Sequence, residues 1–383
     1  MTPSALREIM DLASRPGILS FAVGLPAADL FPARELSAAA ARVLASDGQA
    51  LQYAVPYQPL RRQVVELMSM RGVSCREEQV FLTSGAQQGM DLLSRLLLAP
   101  GGRVILERAV YEGLQLAVRR LAPEILTVPT DSATGIDVDA VEALLATGAV
   151  PAFLYLITDG HNPLGVSISR DKRTRLAELA RRHQLPIVED DAYGFLHFDE
   201  NPPPPLRALD AEWVCYLGSF SKILAPGLRA GWMVVAEPLI PRLSALKHAV
   251  DLDTPSFSHR VISEYLAAED FPRHLERLRV EYRRRRDATL SALERHLSGR
   301  ARWNRPSGGM FVWVELSPAI DAVRLLATAV ERFSLAFSPG QAFAVAGTDH
   351  ARHCLRLAFG NLQPAQIAEG IERLAALVQS AAH

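Results

Sequence analysis

Trp213-Val214-Cys215-Tyr216-Leu217-Gly218-Ser219-Phe220-Ser221-Lys222-Ile223-Leu224-Ala225-Pro226-Gly227-Leu228-Arg229-Ala230-Gly231-Trp232 opens on an apolar run that reads as a buried strand and runs into a second, 232–236. Between the two stands Lys222, flanked by the hydroxyls of Ser219 and Ser221 and followed seven residues on by Arg229. A lysine so placed is able to form a Schiff base with an aldehyde, and two hydroxyls with a guanidinium suit a dianionic phosphate. A solvated loop with an incidental lysine is the plainer reading of the same residues. This segment by itself leaves both open.

Outward from this stretch, short apolar runs alternate with helical patterns. Strands are expected at 79–83, 103–106, 125–128, 152–157 and 186–189, ahead of the pair 213–217 and 232–236. Helices are expected near 86–98, 111–121, 137–145 and 169–183. Buried strands alternating with helices of about 10–15 residues indicate an α/β fold, a mostly parallel sheet with helices on both faces. Past about residue 268 the pattern changes. A long charged helix spans 272–297, a strand 310–316, a helix 320–331, a short strand 355–359 and a last helix 364–380. That is a smaller α/β layer. Pro202–Pro205 is too short for a domain linker and reads as a shaped surface loop. Arg283–Arg286 reads as the solvated face of the long helix, because four consecutive residues point all round it.

Composition narrows the function. The chain has 383 residues, enough for two domains at about 150 residues each. Its 41 Lys and Arg balance 42 Asp and Glu, a net charge of −1, which gives no electrostatic reason to expect nucleic acid or an anionic membrane as partner. The longest apolar run is six residues, 152–157, against the roughly 20 that a spanning helix needs. The first 17 residues lack the apolar core of a signal peptide. Three widely spaced cysteines, Cys75, Cys215 and Cys354, offer neither a disulfide framework nor a metal site, and point to a cytoplasmic setting. Cys215 reads as core.

Three more segments fall at strand ends, where open α/β sheets bind ligands. Thr83-Ser84-Gly85-Ala86-Gln87-Gln88 stands at a strand-to-helix junction whose small residues leave helix N-terminal amides open to an anion. Asn162-Pro163-Leu164-Gly165 follows 152–157, and Glu189-Asp190-Asp191-Ala192-Tyr193-Gly194 ends 186–189. Adjacent acids at a strand end suit either a metal, for which no accompanying ligands are in place, or a ring cation.

In this order and spacing the four segments resemble the fold type I pyridoxal-phosphate enzymes, specifically the class I/II aminotransferase family in the branch of 2-aminoadipate, kynurenine and broad aromatic aminotransferases. The resemblance runs from Ile18-Leu19-Ser20-Phe21-Ala22-Val23-Gly24-Leu25-Pro26, through Leu51-Gln52-Tyr53 and Pro59-Leu60-Arg61, to Leu355-Arg356-Leu357-Ala358-Phe359. The stretch Ser-x-Ser-Lys-x-x-x-Pro-Gly-x-Arg-x-Gly is its most specific part. The resemblance implies a large domain with a seven-stranded, mostly parallel sheet between helices and a smaller C-terminal α/β domain. The boundaries expected are an N-terminal arm with part of the small domain at 1–45, a large cofactor domain at 46–268 and a small domain at 269–383.

It also implies roles. Lys222 would hold the aldehyde of pyridoxal 5'-phosphate as a Schiff base and later act as a base. Asp190 would pair with the pyridine nitrogen, keeping it protonated and the ring an electron sink. Tyr193 and Asn162 would bond the ring 3-oxygen, and Tyr111 would stack on the ring. The amides of Gly85, Ala86 and Gln87 would cradle the phosphate with Ser219, Ser221 and Arg229. Tyr53 would reach the phosphate of a neighbouring subunit, making the active unit a homodimer with composite sites. Arg356 would fork onto the substrate α-carboxylate, with Gly24 and Asn162 beside the substrate. The reaction implied is transfer of an amino group from an α-amino acid to a 2-oxo acid.

Three departures from the family bear on the substrate. Val23 replaces the first of two glycines, the stretch Ala54–Pro59 is about two residues short, and Asp159-Gly160-His161 replaces an apolar or small stretch ending in Gln. All three are expected at the substrate pocket. They keep open a second reading, a lyase or cyclase working at Cβ or Cγ, with His161 or Asp159 as its acid. A third, non-catalytic reading is the sensor half of a transcription regulator. It calls for a DNA-binding domain ahead of an aminotransferase-like sequence that here starts at about residue 4.

Overall fold

Seven apolar runs of four to six residues form one sheet: β1 (Val80–Thr83), β2 (Arg103–Glu107), β3 (Glu124–Val128), β4 (Phe153–Leu156), β5 (Ile187–Asp190), β6 (Val214–Ser219) and β7 (Gly231–Val234). The structure, a computed structural model, describes residues 15–53, 55–198, 202–252, 255–345 and 350–381. The expected Ala54 and the first fourteen residues of the N-terminal arm lie outside these. Spatial order is β1-β7-β6-β5-β4-β2-β3. All neighbours are parallel except β7, which runs antiparallel to both β6 and β1. Every residue of β1 and of β4 to β7 is buried, as strands covered on both faces require.

Parallel strands need long crossovers, and helices supply them. Val138–Ala146 is capped by the Asp137 side chain and Arg170–His183 by Ser169. Four helices lie outside the expected set, Ala33–Ser46, Gln58–Met70, Ile240–Asp251 and Ser256–Ala268. The second of these carried a usable signal: Pro59 in its first turn and Leu60, Val64, Leu67 and Met68 on one buried face.

A second, antiparallel sheet contains β8 (Arg302–Trp303), β9 (Phe311–Glu315), β10 (Ser338–Pro339) and β11 (Cys354–Ala358) in the order β8-β9-β11-β10. Phe271–Leu297 and Pro364–Ala381 pack together beside it. Leu19–Ser20 pairs in parallel with Leu335–Ala336, and the Ala358 amide donates to Phe21 O at 2.9 Å. The segment before Gly24 is therefore anchored by the C-terminal layer.

The arginine run departs from the solvated-face expectation. Arg283 and Arg284 are exposed, but Arg285 is fully buried and donates to Gly360 O, Asp29 and Glu281, while Arg286 donates to Pro306 O and lies over the Phe198 ring. Arg283, although exposed, also donates to Phe198 O, so three of the four tie the long helix to backbone carbonyls of other segments. The proline run is half-buried rather than a free surface loop, because Arg173 donates to Pro204 O and Glu189 accepts the amides of Leu206 and Arg207.

At two points the layers meet on bare backbone. Gly160 has φ +57° and Gly309 φ +72°, and a Cβ at Gly160 would stand 2.9 Å from Gly309 Cα. A Cβ at Gly165, φ +70°, would stand 2.3 Å from Phe311 O. These are positions that glycine alone fills.

Candidate active site

Asp190 ends β5, Ser219 ends β6, and Thr83 ends β1 just before the helix α1 (Ala86–Leu97). The carboxyl ends of these strands open into a cavity of about 270 Å³ between the sheet and the second layer. Lys222, Asp190, Asn162, Tyr193, Tyr111 and Arg356 line it, as do Ala86, Gln87, Ser219, Ser221, Arg229 and Gly24. Gly85 adjoins Arg229 at its edge. The fold thus brings these positions together from segments more than 300 residues apart.

Lys222 Nζ donates to Gly24 O at 2.9 Å. Burial, and then the nearby Arg356 and Arg229 guanidiniums, lower its pKa to about 8 against the pull of Asp190. Burial raises Asp190 to about 6; Tyr155, the Ala192 amide and His161 oppose the shift, and Asp191 adds to it. Its Oδ2 accepts from the Tyr155 hydroxyl at 2.7 Å, and its buried Oδ1 has no partner. A buried carboxylate with a bare oxygen is stabilised by a cation brought beside it. Pyridoxal phosphate offers that cation at its ring nitrogen and an aldehyde for Lys222, so these residues fit it.

The phosphate end fits as well. Gly85 has φ +94°, and a Cβ there would stand 2.7 Å from Arg229 Nη2, so glycine keeps the guanidinium close to the α1 N-terminus. Arg229 Nη2 donates to Ser84 O at 3.1 Å, and Ser219 Oγ accepts the Ser221 amide at 3.1 Å. Helix amides, two hydroxyls and a guanidinium together make an anion site.

At the other end Arg356 is buried between two rings, with Phe311 and Phe343 centroids each 4.6 Å from its Cζ. Nη1 donates to Asn162 Oδ1 at 2.7 Å, and Nη2 to Ala22 O at 2.5 Å and Ser338 Oγ at 3.2 Å, while Nε has no partner. Burial lowers its pKa to about 10, opposed by Tyr193 and Tyr111. Phe343 and Tyr155 are site residues that the sequence does not signal. Neither sits in a recognisable motif, and both look like ordinary core aromatics. Val23, the first departure, does line the cavity.

Tyr53 is not brought to this cavity. It is 80 % exposed and lines a separate, largely apolar hollow of about 650 Å³ with Val55, Ile240 and Leu252.

The third departure turns out to be structural. Asp159 accepts from Arg173 at 2.7 Å and Arg71 at 2.8 Å; burial pushes its carboxyl up, but the two guanidiniums outweigh this and hold it below the ordinary range. His161 Nδ1 accepts the Leu164 amide at 3.3 Å, which places the proton on Nε2, 3.0 Å from Glu107 Oε2. Both side chains are buried and engaged, and neither lines the cavity. The expected pocket role of this stretch is corrected accordingly. No group of three or more His, Cys, Asp or Glu side chains suited to a metal occurs among the described residues.

Residues 16–374 match the family model for aminotransferase class I and II. The 2-aminoadipate transaminase of Thermus thermophilus is 42 % identical over 97 % of this chain and 92 % of its own length. The aromatic-amino-acid aminotransferase 1 of Thermococcus litoralis is 36 % identical over 99 % and 92 %. Among solved structures, the α-aminoadipate aminotransferase of Thermus thermophilus complexed with N-(5'-phosphopyridoxyl)-L-leucine superposes with a TM-score of 0.92 at 40 % identity, covering 99 % of this chain and 95 % of that one.

Proposed function

The chain belongs to the class I and II aminotransferases and is a pyridoxal-phosphate-dependent aminotransferase of fold type I, and from that premise we propose how its own residues divide the work. The observation that carries the assignment of roles is one cavity holding a lysine of lowered pKa, a buried carboxylate with a bare oxygen, and a ring-clamped arginine.

When bound, pyridoxal phosphate supplies an aldehyde that accepts the amino group and a ring that draws off the electron pair left as the Cα proton departs. Gly85, Ala86, Gln87, Ser219, Ser221 and Arg229 would hold its phosphate. Asp190 would pair with the ring nitrogen, Tyr193 and Asn162 with the ring oxygen, and Tyr111 would pack on the ring. Arg356 takes the α-carboxylate of the amino acid and then of the oxo acid, which fixes the Cα–H bond relative to Lys222. The Lys222 amine, neutral over part of its population near pH 8, removes the Cα proton and returns it.

The lyase or cyclase reading needs an acid beside the substrate side chain. The two residues offered for it, Asp159 and His161, are held by Arg71, Arg173 and Glu107 instead. The enzyme works as a cytoplasmic homodimer in this reading. The exposed Tyr53 and its apolar hollow are covered by a second copy whose phosphate site Tyr53 completes. No helix among the described residues is long and apolar enough to cross a membrane.

A panel of amino acids added without any oxo acid tests the reaction. A true donor shifts the cofactor absorbance to shorter wavelength and releases about one oxo acid per site, then stops. Continuous turnover of an amino acid without an acceptor overturns transamination and revives the side-chain chemistry.

A further inference from the structure

Tyr155 lies in β4, fully buried, and is not among the residues that line the cavity. Opposite it on β5 is Val188, so Asp190 is its diagonal neighbour two residues on, within reach of a long side chain on the same face. The reach is used: Tyr155 Oη donates to Asp190 Oδ2 at 2.7 Å, leaving Oδ1 without a partner. One oxygen of the carboxylate is gripped from beneath and the other is left for whatever the cavity holds.

We propose that Tyr155 is a positioning residue for the aminotransferase reaction: its hydroxyl fixes the Asp190 carboxylate and stabilises its negative charge, so that Asp190 presents an ionised oxygen to the protonated ring nitrogen of the cofactor. The inference rests on Asp190 being the partner of that nitrogen.

The surroundings show why a second group is needed. Asp190 is buried, and burial favours its neutral form. Asp191, the adjacent carboxylate, works in the same direction, although its own Oδ2 is taken by Arg71 and the Tyr216 hydroxyl. The Ala192 amide, His161 and Lys222 favour its charged form, and Tyr111 and Tyr193 also lie within electrostatic reach. Of these, Tyr155 gives the largest opposition to protonation through a direct bond. Without the hydroxyl, Asp190 competes for the proton of the ring nitrogen. A ring that loses that proton is a poorer sink for the Cα electron pair.

Tyr155→Phe keeps the ring and removes only the donor. Loss of a hydrogen bond to a charged group should lower kcat about tenfold or more and weaken cofactor binding to the cofactor-free protein, measured by equilibrium dialysis, by a similar factor. KM for the amino donor should stay within about twofold, because Tyr155 touches no substrate. The isotope effect on kcat with Cα-deuterated donor should rise as proton removal becomes slower. In an Asp190→Asn background the same substitution should change neither quantity further. Values of kcat and cofactor affinity within about twofold of the parent, a parallel rise in KM, or an equal loss in the Asp190→Asn background would each overturn the proposal. A parent enzyme that reacts with no donor defeats the assignment of roles instead, while a reactive parent matched by Tyr155→Phe defeats this inference alone.

Discussion

Replacing Arg356 with Ala tests the substrate end of the site in two ways at once. A guanidinium has five N–H donors. Three bonds already tie it to Asn162 Oδ1, Ala22 O and Ser338 Oγ, two of them from Nη2, while Nε–H has no partner in the protein. Nε–H and the second Nη1–H lie on different edges of the fork, so one charge-assisted bond to a carboxylate is open without breaking these, worth roughly 1.5–3 kcal/mol, or at least about tenfold in kcat/KM for an amino acid. An amine without the carboxylate makes no such bond and should lose far less. The second effect reaches Lys222. Burial is the main cause of its lowered pKa and Arg356 the next, so Arg356→Ala should raise it above about 8. The amine is reactive only when neutral. The pH profile for cofactor loading of the cofactor-free protein should therefore move to higher pH, with slower loading near pH 7.5. Stopped-flow absorbance measures the loading, and steady-state assays compare the amino acid with the matched amine. Equal losses on both substrates, with no alkaline shift, would refute the reasoning.

Borohydride reduction of the loaded enzyme followed by peptide mapping should place the cofactor on Lys222; label on another lysine removes the site assignment. Mixed dimers of Lys222→Ala and Tyr53→Ala should recover activity that neither parent has, since one of the two composite sites is then intact; failure to recover any, or a fully active monomer in sedimentation, argues against a shared site. Asp190→Asn should stabilise the cofactor-free chain. The Asp190 carboxyl is raised from 3.8 to about 6, so its penalty is absent below pH 3.8, builds between the two values and is complete above pH 6, where it reaches roughly 3 kcal/mol. The thermal midpoint of the variant should exceed that of the parent at pH 7.5 without cofactor, and the order should reverse with cofactor present. A lower midpoint in both conditions contradicts the assignment.

How much was legible in the sequence follows from where each contact partner lies. The seven runs announced β1 to β7 because each is continuous and apolar, and a short apolar run flanked by helical patterns needs no distant partner to be read. The stretch 218–232 was equally local: its lysine, hydroxyls and arginine lie within eleven residues. Tyr155 and Asp190 are 35 residues apart, and their bond depends on β4 and β5 being neighbours in register. No local pattern separates such a tyrosine from a core aromatic. The same limit hid the burial of Arg285, whose partners Asp29 and Gly360 lie far away in the chain. It also reversed the reading of Asp159 and His161. Their polarity marked them for the pocket, and only Arg71, Arg173 and Glu107, from three other segments, turned them inward. Val23 kept its place because it neighbours Gly24 in the chain.

The backbone contact of Gly160 with Gly309, and of Gly165 with Phe311, bears on how the substrate range of this enzyme is able to drift. Where two layers meet through side chains, a substitution on either one resets their spacing, and a pocket between them widens or narrows by small steps. At these two contacts there is no side chain to trim. Any residue other than glycine at 160 or 165 adds a wedge between the layers and strain from the positive φ. The height of the cleft is therefore a constant of the scaffold on this side. Selection, or a designer seeking a new amino donor, is left with the replaceable walls, Val23 foremost.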